Sequence, residues 1–189
     1  RDAKKYRGVI DLLLQNCTSS EERLRIFVAQ TQSLTVDWLK ELEVSCATGL
    51  LANHVEQVFD EIVLRKRAAA FPLAERLARR TPPPSYKYFT GEELPEIIAE
   101  APQLGALIAE QWMLQGGGAL RAAAVAEYCR PGGSLNAESV AAEFSKRKVR
   151  DPEGLMNLLI TQETKPGVLL AAAALKSLSD FDHAKIAFA

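Results

Sequence analysis

Histidine is almost missing from this chain, and with it most metal and acid–base chemistry. The 189 residues include only His54 and His183, and neither has a cysteine or second histidine at metal-ligand spacing. Cysteine is equally sparse. Cys17, Cys46 and Cys129 form no CxxC pair, and an odd, scattered set points to buried thiols in a reducing, intracellular compartment rather than a disulfide framework. There is no GxSxG, HExxH or P-loop motif. The longest mostly apolar run, 167–175, falls well short of the ~20 residues a membrane span needs. No signal peptide or Arg-rich transit segment is visible, and a first residue of Arg rather than Met is expected of a piece of a longer chain. An excess of one charge is missing too: 23 basic and 24 acidic side chains leave a net charge of −1, which gives no global attraction to polyanions. No catalytic residue, metal ligand or cofactor is therefore expected.

Strand patterning is the last absence. No stretch alternates apolar and polar residues with a period of two, and β-branched residues are sparse and dispersed. Helical spacing is present throughout. Val9, Ile10, Leu13 and Leu14 give it to 2–14. Ser19 with Glu22 fits a capping box before a short helix carrying Leu24, Phe27 and Val28. Leu39, Leu42 and Cys46 share a face of a helix that Thr35 can cap. Val55, Val58, Phe59, Ile62 and Val63 follow the i, i+3, i+4, i+7, i+8 stripe of one buried face after a cap at Asn53, with His54 at the helix start. A short helix is expected over 73–80.

Beyond it, Thr90 with Glu93 is another capping box, opening a turn over 94–100. Pro102 suits the first position of a helix over 103–115, with Leu104, Leu107, Ile108 and Trp112 on its apolar face. Gly116-Gly117-Gly118 ends that helix and precedes another over 119–129. Asn136 is placed to cap 136–148, and Asp151-Pro152 is a cap followed by a first-turn proline for 153–162. Segments 166–178 and 181–188 complete the pattern. About twelve short helices and no strand define an all-α protein.

Grouped in pairs, the helices begin near residues 2, 35, 72, 103, 137 and 166. Intervals of about 30–37 residues suit helical hairpins stacked as a HEAT-like α-solenoid. An irregular helical bundle yields similar spacing by chance. The repeats share no residue identity, and neither a tetratricopeptide nor an ankyrin signature is present. The acidic-apolar segment, proline and glycine-ended apolar helix of 94–120 resemble part of the HEAT-type domains of translation-initiation scaffolds. Nothing N-terminal extends that resemblance, and no family is assigned on it.

One break interrupts the helices, at Thr81-Pro82-Pro83-Pro84-Ser85-Tyr86-Lys87-Tyr88-Phe89. Prolines lack the amide donor and restrict the residue before them. The spacing of helix pairs runs through this break, so a single domain over 1–189 with an enlarged loop near 81–89 is expected ahead of a boundary between 1–80 and 90–189. The prolines and aromatics fit either a polyproline ligand for an SH3- or WW-type module or a spacer whose rings fold back onto the helices.

Charges are segregated despite the neutral total. Arg65, Lys66, Arg67, Arg76, Arg79 and Arg80 precede the prolines, and Lys146, Arg147, Lys148 and Arg150 form a second cluster. Between them, 91–143 hold eight acidic and two basic residues. The clusters suit phosphate contacts or an import receptor, or else solvated helix ends where cations meet the dipole.

Three functional expectations follow. The first is a non-enzymatic helical scaffold that binds another protein, within a larger chain or assembly, with Tyr86, Tyr88 and Phe89 as contacts. The second is an RNA- or DNA-binding helical-repeat domain that uses Arg65, Lys66, Arg67, Arg79, Arg80, Lys146, Arg147, Lys148 and Arg150. The third, a helical enzyme with a carboxylate site at Glu92 and Glu93, is weighed against their plain role in starting a helix.

Overall fold

The computed structural model of this chain describes residues 54–80, 83–144, 146–147 and 149–177, with positions 9, 12, 13, 15–17, 19, 22, 26, 43, 44 and 46 before them. Eight α-helices and no strand lie among the described residues: α1 (Val55–Leu64), α2 (Phe71–Ala78), α3 (Leu94–Glu100), α4 (Pro102–Gln115), α5 (Gly118–Cys129), α6 (Ala137–Phe144), α7 (Pro152–Ile160) and α8 (Lys165–Ser177). Each matches a helix expected from the sequence. The expected helices over 2–14 and 181–188, the short one carrying Leu24, Phe27 and Val28, and the one that Thr35 can cap fall wholly or largely outside the described residues. Chain contacts divide the molecule into two compact units, Arg1–Tyr88 and Phe89–Ala189.

In the first unit, α1 buries Val58, Phe59, Ile62 and Val63 as the stripe predicts. The cap position is His54, which makes no side-chain cap bond; Asn53 lies outside the described residues. The other end explains the basic triplet. Lys66 takes φ +52, the Arg67 amide donates to the Ile62 carbonyl at 2.8 Å and the Lys66 amide to Val63 at 3.1 Å. This is a Schellman closure with lysine where glycine is usual. A 3₁₀ turn, Ala68–Ala70, leads into α2, which starts two residues before the expected 73 because Pro72 sits in its first turn. Helix α2 packs on α1 and buries Phe71, Leu73, Ala74 and Leu77. Upstream, the Glu22 amide donates to Ser19 Oγ at 3.1 Å, one half of the expected box.

In the second unit, α4 is the central element. It packs on α3 and α5 and buries Leu104, Gly105, Ile108, Ala109, Gln111, Trp112, Met113 and Leu114. Residues buried around most of its circumference mark an interior helix, where one apolar face was expected. Helix α5 also touches α7 and α8, and α8 packs on both α6 and α7.

Two predicted caps, Asn136 and Asp151, stand at helix starts, and Thr90 with Glu93 bonds within the turn before α3. Glu93 accepts from the amides of Thr90, at 3.1 Å, and Gly91, at 3.0 Å. Asn136 Oδ1 accepts from Glu138 at 2.9 Å, and Asp151 Oδ1 from Gly154 at 3.0 Å. Helix α6 stops at Phe144 instead of running to 148. The chain turns there so that Val149 is buried and the Arg150 amide can reach the Leu114 carbonyl at 2.9 Å.

Candidate functional site

The three aromatic residues singled out in the proline loop have different fates. Tyr86 is buried and meets Phe59 edge-on at 5.5 Å, held by a left-handed backbone at φ +54. Phe89 is buried against Trp112 at 5.8 Å. Tyr88 alone is exposed, at 62%, with Lys87 Nζ 5.6 Å from its ring centre. Tyr86 and Tyr88 belong to the first unit and Phe89 to the second. Pro84 is buried as well, and Ser85 ties the loop to α1 through Glu56 at 3.0 Å. Two of the three rings thus already fill apolar space within the fold.

The basic clusters fall on different units, and several of their members are engaged. Arg67 pairs with Glu61 at 3.2 Å, and Arg65 lies 3.7 Å from the same carboxylate. Arg76 pairs with Glu43 at 2.7 Å, while Arg80 donates to the Cys46 carbonyl at 3.3 Å. In the second unit Lys146 pairs with Glu143 at 2.8 Å. Arg147 pairs with Glu110 and donates to Gln111 at 3.0 Å. Arg79 and Arg150 are exposed; Lys148 lies outside the described residues.

Polar groups inside the helices went unforeseen. Arg121 on α5 has a side chain only 3% exposed, and its Nη1 donates to Asp151 Oδ2 and to the Asp151 carbonyl, both at 3.1 Å. Its Nε and Nη2 have no partner. Burial pulls its pKa below the ordinary arginine value, with Asp151 opposing. Burial, then the Glu110 carboxylate, pushes the Tyr128 hydroxyl well above its usual range. Burial also raises the Cys46 thiol to about 11, which leaves almost no reactive thiolate at neutral pH. Among the described residues no three His, Cys, Asp or Glu side chains cluster as metal ligands.

Asp60, on the buried side of α1, carries a testable consequence. Burial first, and then Glu56, raises its carboxyl from 3.8 to about 6, and its Oδ1 has no partner. A folded-state value above the unfolded one means that the ionised form opposes folding. That penalty is fully present above about pH 6, and it disappears as pH falls towards the unfolded value near 4. Asp60→Asn should therefore raise stability by about 1 kcal/mol at pH 7.5, because the amide keeps its own unmet hydrogen bonds while losing the charge. The gain over the parent should vanish by pH 4 in urea titrations. A gain that is constant with pH would show that charge is not the cause.

A groove of about 830 Å³ opens to solvent between α6 and α8. Thr164 starts α8, its Oγ1 accepting from the Gly167 amide at 3.2 Å. One side of α8 enters the core through Gly167, Leu170 and Ala174. A second series, Lys165, Val168, Leu169, Ala172, Ala173 and Lys176, lines the groove with Ala141 and Glu138 of α6 and Glu163 before α8. These α8 positions fall at i, i+3, i+4, i+7, i+8 and i+11, so they form one continuous stripe. Val168 is 66% exposed and Leu169 37%. The sequence signal was there: a helix with two apolar stripes has one more than packing on a single side requires. No ion pair among the described residues engages Glu138, Glu163, Lys165 or Lys176.

The class of protein these observations define is an all-helical one, in which no helix among the described residues is long and apolar enough to cross a membrane. Comparisons with protein-family models, with curated proteins and with solved structures found no match.

Proposed function

We propose that this chain is a non-enzymatic helical interaction domain that binds another protein, and that the partner is received in the groove between α6 and α8. The observation that carries this reading is the apolar stripe of Val168, Leu169, Ala172 and half-buried Ala173, open to solvent and rimmed by charges that have no ion-pair partner among the described residues. Contiguous apolar surface with a polar rim is the anatomy of a protein-binding patch. Tyr88, with Lys87 beside it, is a second exposed contact of the same kind. The nucleic-acid alternative draws less support, since Arg67, Arg76, Lys146 and Arg147 are already matched to carboxylates. As to architecture, α3 with α4 and α7 with α8 pair like hairpins. The contact from α5 across to α8 favours an irregular bundle over a regular HEAT-like stack.

Photo-crosslinking in cells tests the reading. Benzoylphenylalanine at Val168 should capture one predominant protein, and Ala172→Glu should abolish the capture. Crosslinks to no protein, or crosslinks unchanged by Ala172→Glu, would count against the groove as the binding surface.

A further inference from the structure

We draw no further inference here: the strongest candidate, the apolar groove between α6 and α8, belongs to the site already described, and nothing in the structure shows what covers it.

Discussion

Gly105→Val should destabilise the 89–189 unit by about 3 kcal/mol, and Gly105→Ala by about 1–2, in urea denaturation followed by circular dichroism. Gly105 lies within α4 where α3 crosses it. A Cβ added there would stand 2.7 Å from Ile98 Cα and Cγ1 and 2.9 Å from the Ile98 amide nitrogen. Backbone atoms cannot rotate aside, so α3 must lift off α4. Lifting it would loosen Leu94 and Ile97, both buried at present. Alanine recovers about 1 kcal/mol through its higher helix propensity, which is why it should be the milder change; valine adds two methyl groups and little of that return. Gly118→Ala is the control: its Cβ would meet nothing within 4 Å, so stability should stay within about 0.5 kcal/mol of the parent. If Gly105→Ala matched this control, the close approach of α3 and α4 would be refuted.

What was legible in the sequence follows from the range of each signal. Helix starts are local, and Asn136 and Asp151 cap where their spacing predicts, whereas Thr90 and Glu93 bond to each other in the turn before α3, whose N-cap position makes no side-chain cap bond. The end of α6 is not local. Lys146 and Arg147 are good helix formers, yet the helix stops at Phe144 because Arg147 has a carboxylate to reach on α4 and Val149 has a buried site to fill. Composition equally failed to sort Tyr86, Tyr88 and Phe89. A loop has no periodicity to assign faces, and the left-handed turn at Tyr86 aims each ring separately. The groove needed both α6 and α8 in place before its stripe could be recognised as uncovered. Arg121 was hidden by its surroundings: a lone cation in an alanine-rich helix reads as surface until a partner for it is found.

That partner makes Asp151→Ala the other change with a large effect, about 3 kcal/mol of lost stability. Asp151 does two things at once. Its Oδ1 caps α7 through the Gly154 amide at 3.0 Å, and an N-cap of this type is worth about 1 kcal/mol. Its Oδ2 is the carboxylate facing the buried Arg121 guanidinium. Stripping the partner from a fully buried pair costs about 3–5 kcal/mol, but Asp151 is 61% exposed on its side chain and its carbonyl would still accept from Nη1. About 2 kcal/mol is therefore the appropriate share once solvent screening is allowed for. The two shares separate in a double-mutant cycle. Arg121→Met removes the charge, the unmet Nε and Nη2 donors and the need for Asp151 together, so alone it should be nearly neutral. In the Asp151→Ala background it should restore about 2 kcal/mol and leave only the lost cap. Asp151→Asn, which keeps a capping oxygen without the charge, should fall between the parent and Asp151→Ala. If Arg121→Met gave no rescue, the loss would belong to the cap alone. The buried guanidinium would then draw its support from the backbone carbonyl, and α5 and α7 would be joined by that single neutral acceptor.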